Sequence, residues 1–294
     1  MQRVSFVALS VLLLATHAAW GQEDLKIYIS ADMEGVVGAV SSEQLGPSGF
    51  EYQRFREFMT AEVNAAIAAA RAGGATEVVV ADSHGNGQNL LMDRLPDDIL
   101  LIRSWPRPLG MMEGIDASFD GAILVGYHTS TTNPAGVRAH TISSGSYAAV
   151  RLNGIEMPEA GINAAIAGHF DVPVLVISGD DAIVEEARGI LGDVEGAVVK
   201  WSYGFHSART LMPEAAYRLI GEKVTAALDR IHDFRSYRLE EPVRLEVTFK
   251  NYLPAEVASY LPNVDRVDAH TIGFTGTDIV EVSRFLQFLG RYRA

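Results

Sequence analysis

Short runs of branched apolar residues recur along this chain, and helix-forming segments separate them; that alternation constrains the fold more than any other feature. The runs are Leu25–Ser30, Glu77–Ala81, Ile99–Ile102, Gly121–Val125 and Pro173–Ile177. Several carry apolar residues at consecutive positions, as strands do when both faces of their sheet are covered. The intervening segments Tyr52–Ala72, Glu159–His169, Asp181–Leu191 and Pro213–Ile231 are rich in helix formers, and Gly73-Gly74 stops the first of them. The expectation is an α/β fold with three α/β/α layers around a largely parallel sheet. Asn153-Gly154, flanked by Ser146–Leu152 and Glu156, marks an inserted β-hairpin. The tail reads differently. An alternating strand at Val243–Phe249, a short helix, a strand pair near Val264–Phe274 and a last helix from Asp278 form a smaller C-terminal α+β subdomain. The expected division is residues 1–21, 22–238 and 239–294.

The first segment reads as an address label. Arg3 precedes the apolar stretch Val7–Ala15, and the small residues Ala19 and Gly21 stand before Gln22-Glu23-Asp24, the pattern of a cleaved secretory signal peptide. The stretch is short of the ~20 residues that span a bilayer. A secreted or periplasmic protein without a membrane contact after cleavage is therefore expected. A net charge of −13 argues against nucleic acid as a partner, because phosphate binding needs clustered Lys and Arg. The absence of cysteine leaves His, Asp and Glu as the residues able to hold a metal.

Those residues collect at strand ends. Asp32 and Glu34 follow the first strand, two positions apart, so an extended backbone points both to one side. Asp82-Ser83-His84 follows the second, and Gly126-Tyr127-His128 follows the strand that begins at Gly121. Ligands of open α/β sheets gather beyond the carboxyl ends of strands. Two imidazoles and two carboxylates on one rim suit zinc. Singly, each has a structural explanation: a strand-end Asp is commonly a turn former, and Glu159 after Pro158 complements a helix dipole.

The motifs Ser30-Ala31-Asp32-Met33-Glu34-Gly35, Asp82-Ser83-His84, Gly126-Tyr127-His128 and Pro158–Ala164 occur in order, with Met112-Glu113-Gly114 and Gly136–His140 between them. Together they resemble the M55 peptidase family, from about Leu25 to the C-terminus. The resemblance implies an aminopeptidase with two zinc ions per subunit, acting on short peptides with a free N-terminus, D-amino-acid peptides among them. It implies Asp32 as the bridge, Glu34 and His84 at one zinc, and His128 and Glu159 at the other. It makes His140 catalytic, outside the ligand set. It also implies a ring-shaped homo-oligomer, to which the sequence adds only its apolar content of 48%. A dinuclear zinc centre acidifies water itself, so His140 is better employed on the oxyanion or the leaving amine.

Two rivals stay open: a dizinc hydrolase of another amide, an ester or a phosphoester, and a non-catalytic exported peptide- or metal-binding protein. Phosphoesters call for a cationic clamp, and the rim offers only Arg138. Neither a phosphate-cradling glycine motif nor a GxSxG elbow is present. His169, His206, His232 and His270 lack ligand-like spacing, and Met111-Met112 reads as core.

Overall fold

The computed structural model describes residues 24–292, so the expected leader at 1–21 lies outside the described residues. The chain runs β1 (Leu25–Ala31), α1 (Ser42–Leu45), α2 (Tyr52–Ala72), β2 (Ala75–Asp82), β3 (Leu100–Ile102), β4 (Gly121–Tyr127), β5 (Tyr147–Leu152), β6 (Ile155–Glu156), α3 (Glu159–His169), β7 (Val174–Asp180) and α4 (Asp181–Leu191). It continues through β8 (Glu195–Gly204), β9 (Ser207–Thr210), α5 (Pro213–Leu228), β10 (Val243–Phe249), α6 (Tyr252–Ala258), β11 (Val264–Arg266), β12 (Thr271–Gly276) and α7 (Ile279–Arg291).

The first sheet has the order β3-β2-β1-β4-β7-β8-β9, parallel except for β9. Alternation along β1 assigns its two faces. Ile27 and Ile29 pack with Phe55, Met59 and Val63 of α2 and with Ile220 and Val224 of α5. Tyr28 points the other way, into a core shared with α3, α4 and the second sheet. Both faces are covered, which is why the central strands read as continuous apolar runs. Fully burying an aliphatic or aromatic side chain contributes about 1.5–3 kcal/mol, so these two cores hold the layers together.

The inserted hairpin and the C-terminal strands, separate in the sequence reading, form one antiparallel sheet of order β11-β12-β10-β5-β6. β5 pairs directly with β10, Leu152 opposite Leu245. Asn153 (φ 49°) and Gly154 (φ 80°) make the left-handed turn that an Asn-Gly hairpin requires. β8 and β9 extend the first sheet where the sequence reading has no strand.

The strand order positions the site. β1 and β4 are neighbours, and the later strands lie on opposite sides of them, so the chain leaves these two in opposite directions and opens a crevice beyond their carboxyl ends.

Candidate metal centre

Two loops meet at that crevice, backbone against backbone. Asp32 N–H donates to Val125 O at 2.8 Å, and Gly35 N–H donates to Gly126 O at 2.7 Å. A Cβ on Gly35 would lie 2.1 Å from Tyr127 O, and one on Gly126 would lie 2.2 Å from Asp32 O, with Gly126 at φ +75°. Only glycine allows this approach. It brings Asp32 and Glu34 beside His128, with His84 arriving from the end of β2.

The side chains are buried, and their ring tautomers are set by backbone carbonyls. His84 Nε2–H donates to Leu45 O at 2.6 Å, leaving Nδ1 facing Asp32 Oδ1 at 3.1 Å and Glu34 Oε2 at 2.8 Å. His128 Nδ1–H donates to Thr129 O at 3.1 Å, leaving Nε2 facing Asp32 Oδ2 at 3.3 Å and Glu159 Oε2 at 3.5 Å. The two oxygens of Asp32 thus diverge, one toward each histidine. Glu159, at the start of α3, accepts at Oε1 from Ile142 N–H at 2.6 Å. Ile142 is held at φ 63°, an unusual conformation for a β-branched residue, and that hydrogen bond helps retain it.

His140 lies within this cluster, not beside it. Its ring stacks on His128 with centroids 4.0 Å apart and planes 8° apart. Its Nδ1–H donates to Arg138 O at 2.8 Å, and Nε2 points between Glu34 Oε1 and Glu159 Oε1, each 4.0 Å away. Two triplets bring one donor atom each within 4.8 Å: Asp32, Glu34 and His128, and His128, His140 and Glu159. The sequence reading places His140 near the hairpin and outside the ligands; the fold makes it a neighbour of both outer carboxylates.

The donor set fits a cation. Asp32 Oδ2, Glu34 Oε2 and His128 Nε2 are buried without a hydrogen-bond partner. A buried unsatisfied polar atom costs about 1–3 kcal/mol, more when charged. Bare imidazole lone pairs facing carboxylate oxygens repel them, and only a proton or a metal ion resolves the contact. The electrostatics say the same. Burial alone would lower His84 and His128, but Glu34 and Glu159, with Asp32 on both, hold them well above the usual histidine range. Burial works to raise Glu34 and Glu159; the facing histidines outweigh it and hold both below the usual carboxylate range. His140 goes down instead, through burial and the neighbouring His128.

A family model described as D-aminopeptidase, peptidase family M55, matches residues 25–288. The chain belongs to the M55 peptidase family. This M55 chain is 35% identical over 261 residues to a D-aminopeptidase of Bacillus subtilis (strain 168), covering 87% of this chain and 93% of that one. It is also similar to the solved structure of the Zn-dependent D-aminopeptidase DppA from Bacillus subtilis, described as a self-compartmentalizing protease, with a TM-score of 0.87, 33% identity, and coverage of 90% and 96%.

Around the M55 site, supporting residues appear that the sequence reading did not single out. Lys200 of β8 is fully buried; its Nζ donates to the carbonyls of Glu34, Val36 and Ala39, fastening the loop that carries Glu34. Behind Asp32, Ser30 Oγ meets Ser83 Oγ at 2.8 Å, Tyr127 O–H donates to Ser30 at 2.7 Å, and Asn163 donates to Tyr127 at 2.8 Å. That chain ties β1, β2, β4 and α3 together. The five strand-end and helix-start residues open on a cavity of about 340 Å³ with His140 in its wall. Arg138 does not line it: its guanidinium lies 5.2 Å from the Phe205 ring, and the cationic side chain at the cavity is Arg291. None of His169, His206, His232 or His270 reaches the cavity, and Met111 and Met112 are buried.

Proposed function

We propose that this chain is an exported zinc aminopeptidase that would hold two zinc ions, with Asp32 among their ligands, and removes N-terminal residues from short peptides, D-amino-acid peptides among them. The observation that carries the reading is the trio of buried, unpartnered donor atoms on Asp32, Glu34 and His128, in a family whose named relatives are zinc-dependent aminopeptidases. Glu34 and His84 would hold one ion, and His128 and Glu159 the other. When bound, zinc supplies a Lewis acid for the scissile carbonyl and acidifies water toward a pKa near 7.

The chain's own residues supply the rest. Leu45 O and Thr129 O keep the imidazole lone pairs of His84 and His128 turned inward, as a metal ligand requires. His140, with Nδ1–H committed to Arg138 O, presents an unprotonated Nε2 to the cavity in its neutral form. It would accept the proton that the attacking water loses and then give it to the leaving amine. This revises the sequence reading, in which His140 acts as donor from the start.

The cavity of about 340 Å³ lies at the small end of ligand sites and suits a dipeptide better than a long chain. Export rests on the leader-like segment. A ring-shaped homo-oligomer is supported by the self-compartmentalizing relative; a monomer on sizing would refute it. Assays of zinc-loaded protein on paired D- and L-aminoacyl amides and on a phosphodiester test the activity. Turnover of the amides alone supports the reading, whereas turnover of neither at full zinc occupancy would leave a binding protein.

A further inference from the structure

The last residue of α7, Arg291, lines the metal cavity and is the one Lys or Arg to do so among the described residues. A basic residue in a helix's last turn ordinarily complements the dipole at the surface. Arg291 is placed more specifically. Its guanidinium lies 4.7 Å from the centroid of Trp105, whose indole N–H donates to Gly85 O at 2.9 Å, one residue from His84. Arg107, on the same ring at 4.3 Å, is buried and donates to the carbonyls of Asp82, Ile102 and Ser104. The platform that carries Arg291 is therefore anchored to the loop that supplies a proposed ligand. Among the described residues Arg291 forms no ion pair and no side-chain hydrogen bond, whereas Arg107 on the same ring is committed to backbone carbonyls. A guanidinium stays charged and binds carboxylates with paired N–H donors.

We propose that Arg291 binds the carboxylate of the residue that follows the scissile bond, so that the site selects dipeptides over longer or amidated peptides. This rests on the aminopeptidase reading. With the scissile bond at the proposed metal centre, Arg291 would take the anionic end. One residue spans at most ~3.6 Å, so a free carboxylate can sit close beyond the cut only in a dipeptide or on an acidic side chain.

The test compares wild type, Arg291→Gln and Arg291→Lys, all zinc-loaded, in two ways. Calorimetry measures binding of alanyl-alanine with a reduced, uncleavable CH2–NH linkage, its C-terminal amide, and the amide of the reduced alanyl-glutamate, each in D,D and L,L form. Kinetics measures kcat/KM on alanyl-alanine, its amide and alanine amide. Wild type is expected to favour the free carboxylate about 10–100-fold, as a charge-assisted pair would. Arg291→Gln should erase that ratio, and Arg291→Lys should restore part of it. Strong binding of the alanyl-glutamate amide would assign the contact to a side-chain carboxylate; weak binding would assign it to the chain terminus. Equal affinity of wild type for acid and amide, or a ratio that survives Arg291→Gln, would overturn the proposal. A carboxylate preference in binding without turnover of any amide would instead sink the aminopeptidase reading and leave the Arg291 contact standing.

Discussion

Each histidine of the site spends one ring nitrogen on a backbone carbonyl and turns the other toward carboxylates, yet the three need not share a job. His84 and His128 sit 2.8–3.5 Å from their facing carboxylate oxygens, whereas His140 Nε2 stands 4.0 Å from both of its own. His140→Ala is expected to lower kcat by about 10²–10⁴-fold, the usual worth of a positioned proton carrier, while the zinc content measured by metal analysis stays that of the wild type. Loss of zinc would make His140 a ligand. Gly126→Ala probes the loop contact. Its Cβ would meet Asp32 O at 2.2 Å in a left-handed backbone, so a loss of at least about 1–3 kcal/mol is expected, with weakened zinc binding. Denaturant melts and zinc titration read both. At this scale Asp32, Glu34, His84, His128 and Glu159 were legible because motifs at strand ends and a helix start mark them, and the fold brings them to one cavity. Arg291 and Trp105 were not, because a single Arg at a helix end and a single Trp in a loop carry no spacing that marks a site.

Among the elements, α2, α3 and α4 begin and end where their composition and stop signals say, since helix ends are local events. β8 escaped the sequence reading because Lys200 interrupts its apolar run, and lysine is almost never fully buried unless paired. Here three carbonyls receive it, and these lie over 160 residues earlier in the chain. The joint sheet of hairpin and tail was hidden for the same reason: its pairing is non-local. Lys200→Met should leave the sheet intact while freeing the Glu34 loop. The expected result is a loss of about 2–4 kcal/mol, the range for a broken buried polar network, and a zinc affinity that falls further than stability alone explains. Unchanged zinc affinity in the folded variant would separate Lys200 from the site.

For the whole molecule, the proposed zinc and protons would compete for the same imidazoles. Without metal, His84 and His128 are held above the usual range, so their contribution to stability is complete below about pH 6.5 and is lost as pH rises through their folded values. Glu34 and Glu159 are held low; their contribution is present above about pH 4.3 and is lost as pH falls through their folded values. Zinc needs the imidazoles unprotonated. The rise in Tm on adding zinc should therefore grow between about pH 6 and pH 8, and calorimetry at fixed free zinc measures it. A rise independent of pH would remove these histidines from the metal's coordination.

The pairing of β5 with β10 also sets an order of events. Asn153 in the hairpin exchanges hydrogen bonds with Arg244, 91 residues later, and the hairpin leads straight into the helix that begins with Glu159. Closing so long a loop is slow relative to local helix formation. A nascent chain can assemble β1, α2 and β2 early, whereas the hairpin that precedes Glu159 gains its sheet partner β10 only when the last fifth of the chain has been made. A shortened chain without β10 would keep the strands of the parallel sheet and leave the hairpin beside Glu159 unpaired on one edge.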